Sequence, residues 1–116
     1  MPANRRRGEI AATIDGRERI LCLTLGALAE LESAFAVDDL GALAERFSGG
    51  RLSARDLMRV VGAGLRGGGA AVSDDEVAAM KAEGGAAGFA AIAAELLAVT
   101  FGGAAEEAGG ETDRRP

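Results

Sequence analysis

The spacing of apolar residues along this chain changes character near Thr24. Before it, two short runs, Glu9–Ile14 and Arg17–Leu23, flank Asp15-Gly16. That dipeptide tolerates the positive φ angles of a two-residue turn, so the segment predicts a β-hairpin. A hairpin alone is marginal in water, and the helices that follow are the surface it is expected to lie on.

After Thr24 the period becomes helical. Thr24 is placed to cap a helix from Leu25 to about Phe35, with Leu28, Leu31 and Phe35 on one stripe and Glu30 and Glu32 away from it. Ala36-Val37-Asp38 ends it. A second helix, about Asp39 to Phe47, carries Leu40, Leu43, Ala44 and Phe47 on one face before Ser48-Gly49-Gly50. Ser53-Ala54-Arg55-Asp56 reads as a capping box opening a third helix, which presents Leu57, Val60, Val61 and Leu65 and stops in Gly67-Gly68-Gly69. Ser73-Asp74-Asp75-Glu76 opens a fourth in the same way, carrying Val77 and Met80 and closing at Gly84-Gly85. The last helix, about Ala86 to Phe101, aligns Phe89, Ile92, Ala93, Leu96 and Thr100, with Leu97 and Phe101 widening the stripe. The predicted fold is therefore α+β and mostly helical: an N-terminal hairpin followed by about five short helices.

Residues 1–7 read as a flexible basic arm, 8–102 as a single globular domain, and 103–116 as a glycine-rich acidic tail. The tail has no aliphatic side chain larger than alanine, cannot offset its ordering entropy, and is expected to be disordered. With 116 residues there is room for one domain only.

Composition narrows the chemistry. The chain has no His, Trp or Tyr and one cysteine, Cys22, so a His-based triad and a Cys/His pair are both ruled out. Lys81, the only lysine, lies on a mostly polar helix end, which is poor ground for a Ser/Lys dyad. We expect no enzyme activity. Gly62-Ala63-Gly64-Leu65-Arg66-Gly67 matches the GxGxxG fingerprint, but a helix start at Ser53 precedes it and more glycines follow, so the βαβ context of a dinucleotide site is missing. The plainer reading is close helix packing through small residues. Asp38-Asp39 and Asp74-Asp75-Glu76 lack the spacing of a calcium loop and are accounted for as helix caps, so neither a metal nor a cofactor is expected.

A net charge of −5 opposes nucleic-acid binding despite Arg5-Arg6-Arg7. A lone cysteine requires no oxidising compartment, and no apolar run reaches the roughly 18 residues a membrane span needs. A cytoplasmic protein without a membrane partner is the expectation.

Several stretches are familiar as a set: Arg6-Arg7-Gly8-Glu9, Leu23–Glu32, Val37-Asp38-Asp39-Leu40, Leu52–Leu57, Gly62–Gly69, Glu83-Gly84-Gly85, Ala94–Ala98 and Phe101-Gly102. Together they resemble the small gene transfer agent family proteins grouped with phage tail-assembly chaperones, over about Arg6 to Gly102. Proteins of this kind are also described as tail tube components. The resemblance implies a gene between the major tail protein and the tape measure, and a bacterial product that associates transiently with the assembling tail. It implies no catalytic residues.

An assembly chaperone binding the tape-measure protein, the major tail protein or both is the first functional expectation. A structural tail tube component is the second, and a small ligand-binding or regulatory domain the third. Self-association into a homo-oligomer is left open. Because Phe89, Ile92, Leu96, Leu97, Val99 and Phe101 spread over more than one face of the last helix, one small core cannot easily hide them all. Leu97 and Phe101, off the main stripe, are the candidate partner-binding pair. The hairpin edge at Glu9–Ile14 is the fallback.

Overall fold

A computed structural model of the chain describes residues 3–49 and 51–102. The expected tail, 103–116, lies outside the described residues. Two strands, β1 (Glu9–Ile14) and β2 (Arg17–Cys22), form an antiparallel hairpin in the register Glu9↔Cys22 to Ile14↔Arg17. Asp15 and Gly16 take φ of 55° and 76°, the left-handed turn their types permit. Five helices follow: α1 (Leu25–Phe35), α2 (Leu40–Ser48), α3 (Ala54–Gly67), α4 (Asp74–Ala78) and α5 (Gly85–Leu97). A wider π-type turn, Ala98–Gly102, extends α5.

Side chains set the helix starts where the sequence predicts them. Thr24 accepts from the Ala27 amide at 3.1 Å and Asp39 from Ala42 at 2.8 Å. Ser53–Asp56 and Ser73–Glu76 close reciprocal capping boxes, each satisfying two otherwise free amides. Leu40, counted on α2's apolar face, is instead 41% exposed, and Leu43 and Phe47 do the burying. The helix α4 is a single short stretch that ends at Ala78, well before Gly84. Asp15 holds the loop beyond it, donating its amide to the Lys81 carbonyl at 2.7 Å and accepting from the Lys81 amide at 2.8 Å.

The N-terminal residues differ from a free arm. Arg5–Arg7 form one helical turn capped by Asn4, and Arg5 reaches Glu95 on α5 at 2.7 Å.

The centre of the fold is α3, which packs against β2, α1, α4 and α5. Six consecutive residues, Val60 to Leu65, are buried, so the helix is covered all round rather than on one stripe. Gly62 and Gly64 make that coverage feasible. A Cβ on Gly64 would come within 2.5 Å of Leu96 and 3.2 Å of Leu21, while one on Gly62 would overlap the Asp74 carboxylate. Gly67 and Gly68 lie against the carbonyls of Cys22 and Ile20, where a Cβ would strike backbone. The packing reading of the GxGxxG stretch therefore holds, with each glycine admitting a different neighbour.

Candidate functional site

Gly85–Gly102 is an 18-residue helical stretch with one charged residue, Glu95. By length and composition it is apolar enough to cross a membrane, so the expectation that no apolar run reaches such a length does not hold; one charged residue in 18 is tolerated by a span. Within this fold Ala93 and Leu96 are fully buried, but only 11% of the stretch is. Phe89, Ile92, Leu97, Val99 and Phe101 pack half-buried against the core, and Ala87, Ala91, Ala94 and Ala98 are exposed. One side of α5 is thus an apolar surface with no partner among the described residues.

The surplus apolar area anticipated on α5 takes the form of a groove. It encloses about 470 Å³ and is lined by Phe47, Leu52, Ala90, Ala91, Ala94 and Leu97. The helix α2 delivers Phe47, the loop before α3 delivers Leu52, and α5 forms the floor with small side chains that let another backbone approach closely. No lining residue carries a polar side chain, whereas sites for small ligands place a few polar groups to fix orientation. The groove suits apolar side chains of another polypeptide.

Of the two residues singled out from sequence, Leu97 lines this groove and Phe101 does not. Phe101 lies in the π-type turn, half-buried against the core. Sequence reasoning missed Phe47 and Leu52, which are distant from α5 in the chain. Their only signal was apolarity near the α2–α3 loop.

A second apolar pocket, about 180 Å³, lies between α3, α4 and α5, with Leu57, Met58, Val77, Met80 and Phe89 in its wall. A broader concavity of about 650 Å³ spans Glu30, Arg66 and Ala71–Glu76, but it is open and its charges are largely paired. Arg66 donates to Glu30 at 2.7 Å, to Asp74 at 3.1 Å and to the Val72 carbonyl at 3.0 Å, tying α1, α3 and α4 together. The Glu76 carboxylate is occupied by the Ser73 amide. Burial pushes the Cys22 thiol up, helped by the nearby Glu9 carboxylate, and its Sγ lies 3.6 Å from the Arg7 carbonyl.

The β2 edge of the hairpin is covered and the β1 edge is held at its two ends. Along β2, Gly67 and Gly68 cover the carbonyls of Cys22 and Ile20. On β1, Glu9 donates its amide to the Asn4 carbonyl at 3.1 Å, and Ile14 bridges to Ala82 at the other end. The fallback surface at Glu9–Ile14 is left with only its middle, around Ala11 and Ala12.

A family model described as phage tail tube protein, GTA-gp10, matches residues 7–103. No curated protein and no solved structure matches the chain.

Proposed function

The chain belongs to the GTA-gp10 phage tail tube protein family, and from that membership we propose that it is a non-enzymatic tail-assembly chaperone of a gene transfer agent. On this reading it works in the bacterial cytoplasm, holding a tail protein until assembly takes that protein up. The observation that carries the reading is the apolar groove along α5. A groove floored by alanines and walled by Phe47, Leu52 and Leu97 fits the apolar stripe of an amphipathic helix, which repeats every three to four residues. A tape-measure protein, long and helical before assembly, presents such stripes. The major tail protein is the other candidate.

The family description itself favours a second reading, a structural part of the tube. Tube rings built by strand pairing need open sheet edges. Here the described sheet has two strands, and their outer edges are capped at Glu9 and Ile14 and covered at Ile20 and Cys22. That arrangement supports the chaperone.

Quantifying the chain in purified particles separates the two. A chaperone is absent or far below ring stoichiometry, and recovery in many copies per tail establishes the tube component instead. Co-expression with the tape-measure and major tail proteins tests the groove. Replacing exposed Ala91 and Ala94 by Gln fills it without touching the core, so capture is lost while the circular dichroism spectrum is retained. Undiminished capture by this variant removes the groove from the mechanism.

A further inference from the structure

The apolar groove does not end at its own walls. Phe47, which lines it, stacks edge-on against Phe35 at a ring separation of 5.2 Å. The Arg46 guanidinium lies 4.9 Å from the Phe35 ring centre and 5.8 Å from that of Phe47, and Arg59 lies 5.9 Å from Phe35 on its own approach. Two guanidinium groups thus share one aromatic ring beside the groove. Stacking restrains both groups; Arg46 spends its N–H edge on Asp56, while Arg59 makes no ion pair among the described residues.

Residues 46–59 hold four arginines, Arg46, Arg51, Arg55 and Arg59, against one carboxylate, Asp56. Asp56 is buried and committed, since it accepts from the Ser53 amide at 3.0 Å and from Arg46 at 3.2 Å. Arg51 and Arg55 are exposed and make no ion pair among the described residues. On the α5 side, the sole charge, Glu95, is taken by Arg5 at 2.7 Å. Arg46 and Arg51 directly precede the groove residues Phe47 and Leu52, so a protein of net charge −5 brings cations to this groove.

We propose that this groove selects an amphipathic helix whose polar flank is acidic. Its apolar stripe lies along Ala91, Ala94, Leu97 and Phe47, and its carboxylates meet Arg51 and Arg55, which are unpaired among the described residues. The inference rests on the helix-capture reading above and names the chemistry of the captured segment. An acidic protein segment is favoured over nucleic acid, because four arginines are few for a phosphate polymer and the rest of the chain repels it. Charge complementarity at the rim acts on partner choice and encounter rate, while the apolar groove holds the complex.

Two synthetic helical peptides with the same Leu/Phe stripe, one flanked by Glu and one by Lys, test it by fluorescence anisotropy against the full chain. The Glu-flanked peptide is expected to bind about tenfold more tightly at low salt, with the preference shrinking toward 1 M salt as the Debye length falls to about 3 Å. The double variant R51E/R55E reverses the preference. It is expected to stay folded, because both side chains are exposed and glutamate is favourable in the first turn of α3. If its melting temperature falls, R55Q decides through its salt response: a flatter salt dependence than wild type supports the proposal and an unchanged one overturns it. Equal affinity for the two peptides, or preference for the Lys-flanked one, overturns the acidic-flank inference and leaves helix capture standing. Binding of neither peptide overturns helix capture itself. Displacement of the Glu-flanked peptide by a short DNA duplex assigns the arginines to phosphate and overturns the proposal.

Discussion

Gly67→Ala sets two physical effects against each other within one residue. Gly67 is the last residue of α3, and alanine is intrinsically preferred over glycine in a helix by up to about 1 kcal/mol. Helix propensity alone predicts a stabilised protein. The structure predicts the opposite, because the added Cβ would overlap the Cys22 carbonyl oxygen and come within 3.0 Å of its carbon and 3.4 Å of the Thr24 nitrogen. All three atoms are backbone, so no side chain can swing away. The end of β2 has to retreat by on the order of 1 Å to restore ordinary contact distances. Overpacking of this kind costs about 1–3 kcal/mol, which exceeds the propensity gain across most of its range. A net loss of about 1–2 kcal/mol lowers the melting temperature by roughly 5–15 °C in a domain this size. Gly26→Ala is the control: its Cβ would meet only the Thr24 hydroxyl, at 3.8 Å, and a Gly-to-Ala change at such an open site gains about 0.4–1 kcal/mol. Thermal melts and urea titrations of both variants read the result. A Gly67→Ala protein as stable as wild type would show that β2 and α3 are not held this closely.

Three further outcomes follow from the geometry. Asp56→Ala removes the carboxylate that closes the α3 capping box and pairs with Arg46, and costs about 1–2 kcal/mol by urea denaturation, with Asp56→Asn costing less because it keeps an acceptor for the Ser53 amide. Because burial raises the Cys22 thiol, the folded protein is alkylated more slowly at pH 8 than the urea-unfolded chain, and equal rates contradict the placement. The sign follows: stability owed to the neutral thiol is complete below the ordinary thiol range and is lost as pH rises through the raised folded-state value. Leu97→Ala lowers both stability, by about 1 kcal/mol for a half-buried side chain, and partner capture, whereas Phe101→Ala lowers stability alone, which separates the two residues in a combined melt and pull-down.

The local part of the fold was legible because local chemistry decides it. Asp15-Gly16 allows little but a tight turn, and the side-chain oxygens of Thr24, Asp39, Ser53 and Ser73 each found the amide three residues on. Periodicity misled where a position's exposure depends on distant neighbours. Leu40 fits the α2 stripe as well as Leu43 does, yet nothing from α1 or α3 covers it. The groove was half legible for the same reason. An excess of apolar residues on α5 is visible in the sequence, and it pointed to Leu97, but Phe47 and Leu52 meet α5 only through the tertiary path of the α2–α3 loop.

The glycines of α3 make the limit of sequence reading concrete. A pattern of glycines at fixed spacing states that Cβ atoms are excluded, and it leaves open what excludes them. In a nucleotide site the excluding group is a pyrophosphate; here it is the Asp74 carboxylate at Gly62, the Leu96 and Leu21 side chains at Gly64, and the Cys22 carbonyl at Gly67. The contacts come from three elements, α4, α5 and β2, so no single ligand unites them. The spacing follows from the helix itself: α3 is surrounded, and α4, α5 and β2 reach it at successive positions around its circumference. A central helix in a small protein has little room for large side chains at every contact, and glycine at three of them lets three neighbours approach at once. That close approach spends α5's inner face on α3, through Ala93 and Leu96, and turns its remaining apolar residues outward. The same glycines that mimic a cofactor motif thus help to set the side of α5 that is open to a partner.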